Sequence, residues 1–429
     1  MNRTNLIERK YSYSDKLRFD HNDSNNENKI NKLIFSESYK NCIENYLVKT
    51  VLNRKYFSNQ LEFNNHVEKK KQEMINLIEN INKNIIGNDV TFNTPFGFFC
   101  DYETSILITY CDYIASGKPL EFIEDYLRNE VLPTYANTHT TSSFTAIQTT
   151  HFRNESRKLI GKYVNSNEND VILFEGSGST CAIQTLISCL DIFNKFNKTI
   201  EDEIPVVFVS PYEHHSNILP WRETGAIVVQ IIEDIYGNMN LDYLENMLKK
   251  YNNGKRLLIG SFSAGSNVTG ILTDCDKTSQ MCHENGAICF FDYAAIAPYV
   301  SIDMNPESCI LGYKDAIFIS PHKFIGGPGT PGLLIAKKHL FKNKIPNRPG
   351  GGTVDFVDNM DHVYTDILEE REEGGTPDII GSIRCALAFK LKDQVGCDLI
   401  FQLEEYYRDK AYKYWSKNPN MIILGPGFD

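Results

Sequence analysis

Short apolar runs rich in β-branched residues alternate with helix-like stretches from about residue 105 onward. They predict strands at 171–174, 205–210, 226–232, 257–262, 287–293, 316–320 and 332–338. Because these runs are almost continuously apolar, they are typical of strands that helices cover on both faces. The pattern therefore predicts an α/β fold whose large domain holds a mostly parallel, seven-stranded sheet.

The domain organisation is predicted from changes in composition along the chain. Residues 1–90, rich in Asn, Lys and Glu, predict a polar N-terminal extension that is partly disordered or helical. Residues 91–395 form the predicted large domain, and residues 396–429 the start of a small C-terminal domain that looks incomplete. The predicted helices lie at 40–52, 60–82, 179–195, 240–250, 276–285, 381–393 and 398–417.

Composition excludes several classes of protein. The net charge of -11 argues against a nucleic-acid-binding protein, which normally presents a basic face. We find no apolar signal segment and no apolar stretch long enough for a membrane span, so we expect a cytoplasmic protein without a membrane partner. The 11 cysteines include no CxxC pair, which indicates free thiols in a reducing compartment. Cys275, Cys282 and His283 lack the further ligands of a metal site, so no metal is expected.

A turn rich in glycine and serine follows the first predicted strand, in Phe174-Glu-Gly-Ser-Gly-Ser-Thr180. Small residues let backbone amides approach an anion, and the start of the next helix adds partial positive charge. The hydroxyl groups of Ser179 and Thr180 could bind a phosphate. An ordinary capped turn is the alternative, and a dinucleotide site is disfavoured because only part of its glycine pattern is present.

Two adjacent histidines, His214 and His215, lie in the loop after the second predicted strand. Loops at the carboxyl ends of parallel strands are where α/β folds bind ligands. A histidine in this loop could stack on a planar cofactor and transfer a proton. Taken alone, a histidine pair on the surface without a function is the alternative.

An acid and an amine follow two later strands, about one βαβ unit apart. Asp292 ends an apolar run, and a buried carboxylate there needs a cation or a hydrogen-bond donor; a structural salt bridge or a helix cap is the alternative. Lys323 enters a turn rich in glycine and proline, where desolvation would lower its pKa and favour imine formation; a surface lysine is the alternative. Together with the anion loop and the histidine, they match what pyridoxal 5'-phosphate requires of a protein.

The chain resembles the class V aminotransferases of pyridoxal-phosphate fold type I, and within them the cysteine desulfurase and selenocysteine lyase-like branch. The resemblance implies pyridoxal 5'-phosphate as the cofactor, an amino acid as the small-molecule substrate, and a homodimer. The motifs that carry it are Cys111-Asp-Tyr-Ile-Ala-Ser-Gly117, Tyr135-Ala-Asn-Thr-His139, Gly178-Ser-Thr180, Glu213-His-His-Ser-Asn-Ile-Leu-Pro-Trp221, Ser266-Asn-Val-Thr-Gly270, Asp292-Tyr-Ala-Ala295, Ser320-Pro-His-Lys323 and Gly374-Gly-Thr-Pro377.

The same resemblance implies a role for each site residue. Lys323 is the Schiff-base lysine, Asp292 the partner of the pyridinium nitrogen, and His214 the residue that stacks on the ring and moves protons. His139 would lie near the substrate entrance, and the segment 352–353 or a neighbouring one would reach the phosphate of the partner subunit. The other implied cofactor contacts are those of Ser179, Thr180, Ser320 and His322 with the phosphate and of Asn267 with the phenolic oxygen.

The chain departs from the desulfurase pattern in two ways. Ala295 stands where desulfurases usually have a glutamine. The family's nucleophilic cysteine and its carboxylate-binding arginine lie in a small C-terminal domain, past residue 429. We expect a desulfurase-like lyase or sulfurtransferase that depends on pyridoxal phosphate. The alternatives are an aminotransferase that uses a keto acid and a truncated, non-catalytic paralogue.

Overall fold

The computed structural model describes residues 60–92, 106–138, 142–190 and 201–423, together with positions 40, 43, 44 and 47. The chain divides into two compact units, Met1–Asn76 and Leu77–Asp429. In the first unit the side chains of Ile43, Leu47 and Val67 are buried. The predicted domain boundaries after residues 90 and 395 stay predictions.

Helices and short strands alternate along the described residues. The helices are α1 (Gln60–Lys83), α2 (Glu121–Tyr126), α3 (Phe144–Tyr163), α4 (Gly178–Cys189), α5 (Leu219–Glu223), α6 (Leu241–Tyr251), α7 (Cys275–Glu284), α8 (Leu368–Glu372), α9 (Ile379–Val395) and α10 (Cys397–Trp415). The strands are β1 (Thr91–Phe92), β2 (Ile106–Leu107), β3 (Asp170–Glu175), β4 (Val206–Val209), β5 (Ile227–Gln230), β6 (Leu258–Ser263), β7 (Ile288–Asp292), β8 (Ala316–Ile319), β9 (Gly332–Lys337), β10 (Val354–Val357) and β11 (His362–Tyr364).

A seven-stranded sheet in the order β3-β9-β8-β7-β6-β4-β5 forms the centre of the second unit. The strands from β8 to β5 pair in parallel, while β9 runs antiparallel to both of its neighbours. Each of the seven predicted strands is present, and each differs from its prediction by at most two residues at either end. The prediction of a mostly parallel seven-stranded sheet is confirmed.

Helices cover the sheet on both faces, because its strands bury successive side chains on opposite sides. Phe291 of β7 belongs to one buried cluster, which also contains Ile160 of α3 and Phe389 of α9. Phe290 belongs to the other, with Leu186 of α4 and Trp221 of α5. None of the described helices combines the length and the apolar character that crossing a membrane requires.

The direction of the strands places several loops at one edge of the sheet. The parallel strands β4, β6, β7 and β8 end there, and β9 begins there because it runs the other way. Gly332 at the start of β9 lies against the backbone of Gly178, so that a Cβ atom at position 332 would overlap the Gly178 carbonyl group. This close approach ties the turn after β3 to the loop that precedes β9.

Candidate active site

A cavity of about 160 Å³ lies at this edge of the sheet. The structure brings all the predicted cofactor-binding residues to its wall, although they come from segments far apart in the sequence. They are Ser179, Thr180, His214, Asn267, Asp292, Ser320, His322 and Lys323. His139, predicted at the substrate entrance, lies outside the described residues.

The start of α4 forms one end of the cavity. Gly178 has a φ of +60°, and a Cβ atom there would lie 2.8 Å from Ser320 Oγ and 3.2 Å from His322 Cε1. The backbone N–H of Ser179 donates to Ser320 Oγ over 2.9 Å. Glycine thus leaves room between the α4 terminus and the lysine loop, where helix amides and hydroxyl groups could receive an anion.

His214 is oriented by a chain of hydrogen bonds. Thr180 Oγ1 donates to Ser216 Oγ over 2.8 Å, and Ser216 Oγ lies 3.0 Å from His214 Nδ1. The backbone N–H of Ser216 also donates to Nδ1, over 3.2 Å. Since Nδ1 accepts, the proton of the neutral ring is on Nε2. The first turn of α4 and the histidine therefore form one connected arrangement.

Asp292 ends β7 and is only 4% exposed. Its Oδ1 accepts the backbone N–H of Ala294 over 2.9 Å. Burial raises the pKa of Asp292, while the Ala294 N–H, Lys323 and His214 oppose this rise. A further cation in the cavity would favour its ionised form.

Lys323 lies in the 3₁₀ turn Pro321–Lys323 after β8. Burial lowers the pKa of this lysine, and Asp292 and Asp112 oppose the fall. Burial and the charge of Lys323 also lower the pKa of His322. A lysine with a lowered pKa is neutral, and so nucleophilic, in a larger fraction of molecules at a given pH.

The structure adds residues that the sequence did not indicate. Ser177, Ser216 and Ser263 also line the cavity. The carboxylate of Glu213 lies beneath the histidine loop, where it accepts hydrogen bonds from two strand ends. Its position directly before His214 was the available sequence signal. The predicted partner-contacting segment 352–353 is not part of the cavity wall.

The residues that are present fit pyridoxal phosphate. Hydroxyl groups and the α4 terminus suit its phosphate, a buried carboxylate suits its ring nitrogen, and an amine of lowered pKa suits its aldehyde. The room left by Gly178 lies beside Ser320 and His322, which would hold the phosphate. Ala295 lines the cavity with a methyl group, so it offers no hydrogen bond to the phenolic oxygen.

Residues 109–427 match the family model described as "Aminotransferase class-V". The chain belongs to the class V aminotransferase family. It is therefore an enzyme that depends on pyridoxal phosphate, as its resemblance to this family predicted. The prediction that it falls near the cysteine desulfurase branch is also confirmed, since curated proteins and solved structures of that kind resemble it.

Two curated relatives are probable cysteine desulfurases. The one from Halalkalibacterium halodurans is 28% identical over 327 residues, which cover 74% of this chain and 75% of that protein. The one from Staphylococcus aureus is 26% identical over 330 residues, which cover 75% of this chain and 74% of that protein.

Solved structures share the fold. The apo cysteine desulfurase of Thermococcus onnurineus NA1 aligns with a TM-score of 0.62 and 22% identity, over 75% of this chain and 76% of that one. A cysteine desulfurase from Escherichia coli aligns with a TM-score of 0.58 and 22% identity, over 72% of this chain and 74% of that one.

Proposed function

We propose that this class V enzyme is a cysteine desulfurase-like lyase or sulfurtransferase, with its active site in the cavity at the strand ends. The observation that carries the proposal is the convergence of Lys323, Asp292 and His214 on one cavity beside the α4 terminus. The names of the curated relatives support cysteine as the amino acid on which it acts.

Each of the three residues has a chemical role in this proposal. When bound, pyridoxal phosphate withdraws electrons from the α-carbon of a substrate amino acid and so acidifies it. Lys323 is the Schiff-base lysine, and once released it accepts or returns the α-proton through Nζ. Asp292 holds a proton on the ring nitrogen through its buried carboxylate, and His214, with its proton on Nε2, stacks on the ring and transfers protons.

The remaining predicted residues position the cofactor. In this proposal, Ser179, Thr180, Ser320 and His322 hold the phosphate at the start of α4, and Asn267 lies near the phenolic oxygen. The hydrogen bond from Thr180 to Ser216, and the contact of Ser216 with His214, link the phosphate end to the ring-stacking histidine. A shift of Thr180 at the phosphate end would therefore also move the ring of His214.

We also propose a cytoplasmic homodimer. The nine described cysteines are all free thiols, which supports a reducing compartment. The segment 352–353 is the predicted contact with the phosphate of the partner subunit. Within the subunit the Thr353 hydroxyl donates to the Gly350 carbonyl oxygen over 2.7 Å, so a contact with the acceptor oxygens of a phosphate needs either the backbone N–H of Gly352 or a rotation of that hydroxyl.

Borohydride trapping of the cofactor tests the assignment of Lys323. The holoenzyme should give a stable covalent adduct on reduction, and Lys323→Ala should give none, because reduction fixes the bond between a lysine and the aldehyde. Lys338→Ala is the matched control, because Lys338 is exposed and does not line the cavity. An equal yield of adduct from Lys323→Ala and the wild type would show that another amine holds the cofactor.

Product analysis separates desulfuration from transamination, the alternative reaction within the same fold. Incubation with cysteine and an excess of a thiol, without a keto acid, should release alanine and sulfide. The added thiol accepts the sulfur as a persulfide, and a second thiol molecule reduces this persulfide to sulfide and a disulfide. If turnover instead requires a keto acid and yields its amino acid, the enzyme is an aminotransferase. A protein that binds no cofactor would support the non-catalytic paralogue.

A further inference from the structure

The carboxylate of Glu213 is buried, although the residue as a whole is partly exposed. Its Oε1 accepts the backbone N–H groups of Ser210, over 3.1 Å, and of Ser263. Its Oε2 accepts Asn217 Nδ2 over 2.7 Å. One side chain therefore joins the ends of β4 and β6 to the turn that follows His214.

The contact with Ser263 extends this connection to the ring-nitrogen end of the cavity. Ser263 is the residue of β6 paired with Asp292 of β7 in the sheet, and Ser263 itself lines the cavity. The hydrogen bond between Glu213 and Ser263, followed by the pairing of Ser263 with Asp292, thus links the residue before His214 to Asp292. Both of these residues face the same cavity.

The neighbours of Asn217 fix the direction of these hydrogen bonds. The indole N–H of Trp221 can only donate, and it donates to Asn217 Oδ1 over 3.1 Å. Ser261 Oγ donates to the same oxygen over 2.7 Å. Asn217 must therefore present its Nδ2 donor to Glu213. Two backbone N–H groups donate to the Oε1 atom of Glu213, and Asn217 donates to its Oε2 atom. The residue at position 213 therefore needs an acceptor at both ends of its terminal group.

The carboxylate of Glu213 lies close enough to Asp292 for their charges to interact, and its own charge changes near neutral pH. Burial raises the pKa of Glu213 to about 7, and the negative charge of Asp292 adds to this rise. Hydrogen bonds from the side chains of Ser210 and Asn217 and from the backbone N–H of Ser263 act against this rise of the pKa. Above that pH a second negative charge lies close to the carboxylate proposed for the ring nitrogen.

We infer that Glu213 is a positioning residue of the active site: its carboxylate holds His214 and Asp292 in a fixed relation around the bound cofactor. The inference rests on the proposed function, because it concerns how that site is held. Glu213 itself does not line the cavity, so it acts through Ser263 and the histidine loop.

The test compares Glu213→Gln with the wild type in cofactor titrations followed by absorbance. The amide of the variant directs a donor at the Nδ2 donor of Asn217, so one buried hydrogen bond is lost. We expect pyridoxal phosphate to bind roughly ten- to a hundredfold more weakly, the order expected for an unpaired buried polar group. The pH midpoint of the absorbance of the bound cofactor should also fall, because a negative charge near the ring has been removed.

Asp315→Asn is the matched control. Asp315 directly precedes β8, at the opposite end of that strand from the cavity; its buried carboxylate is bonded to His283 and to the backbone N–H of Cys289 instead of the cavity loops. It should lose stability without a change in cofactor affinity or in the pH midpoint. Adding Asn217→Asp to Glu213→Gln restores a donor facing an acceptor, although it removes the hydrogen bond from Asn217 Nδ2 to the Ser261 carbonyl oxygen. The double variant should therefore recover part of the affinity.

Three results would overturn the inference. If Glu213→Gln and Asp315→Asn have the same cofactor affinity and the same pH midpoint, Glu213 has a role in stability alone. A double variant that binds no better than Glu213→Gln would refute the argument about hydrogen-bond direction. Wild-type protein that takes up no pyridoxal phosphate would overturn the proposed function and this inference with it.

Discussion

Replacing Gly178 by alanine would test whether the start of α4 is built around a bound anion. The φ of +60° at this position belongs to the left-handed region, which residues other than glycine adopt at a cost. The added methyl group would also lie 2.8 Å from Ser320 Oγ and 3.2 Å from His322 Cε1. Both of these residues are proposed phosphate ligands, so the substitution reaches the site directly.

The size of the effect follows from two contributions. A left-handed backbone costs a residue with a Cβ atom about 1–2 kcal/mol. Displacing Ser320 would also break its hydrogen bond from the Ser179 N–H, worth about 1 kcal/mol. We therefore expect the free energy of unfolding to fall by about 2–3 kcal/mol. If the displaced Ser320 is also lost as a phosphate ligand, its share of about 1 kcal/mol corresponds to roughly a fivefold loss of cofactor affinity, before any loss of other phosphate contacts.

Gly254→Ala isolates the backbone contribution. Gly254 has a φ of +74°, and a Cβ atom there would meet no atom within 4 Å. Urea denaturation should therefore show a loss of about 1–2 kcal/mol for this control, with unchanged binding of pyridoxal phosphate. If Gly178→Ala is no less stable than Gly254→Ala and binds the cofactor equally well, the role given to the α4 terminus is wrong.

Two further predictions concern buried carboxylates. Asp292→Asn should fold normally but lose most exchange of the substrate α-proton with solvent, because a neutral amide does not favour a protonated ring nitrogen. This exchange can be followed by NMR in heavy water. An unchanged exchange rate would remove Asp292 from the mechanism. Burial raises the pKa of Glu175 to about 7, so the folded protein binds this proton more tightly than the unfolded chain. The resulting stabilisation is present at low pH and is lost as the pH rises through about 7. The free energy of unfolding, measured by denaturation from about pH 5 to about pH 8, should therefore fall more steeply with pH for the wild type than for Glu175→Gln. Parallel pH dependences of the two proteins would contradict this.

The sheet could be predicted from the sequence because its strands are apolar on both faces. The runs that became β4 and β7 contain hardly any polar residue, and burial of nearly every side chain is typical of strands between two helix layers. The direction of β9 left no comparable signal, since a buried strand has the same composition whether it runs parallel or antiparallel. The helix α3 was not predicted, because Thr, Gln, Asn and Arg interrupt its apolar positions.

The candidate site was predictable where one residue and its local turn carry the chemistry. Lys323 and Asp292 stand out because a charged group at the end of an apolar strand has few structural uses. Glu213 was missed because its importance depends on Ser263, which the pairing of β4 with β6 brings next to it. A sequence does not display such pairings until the sheet order is known.

The pairing of β9 with β3 has a consequence for how the protein acquires its cofactor. The register joins Asp170 to Lys337 and Glu175 to Gly332, residues that are far apart along the chain. Closing such a long loop is slow and comes after local structure has formed. The phosphate end of the cavity is therefore completed late in folding, and the regain of cofactor colour during refolding would mark arrival at the native state.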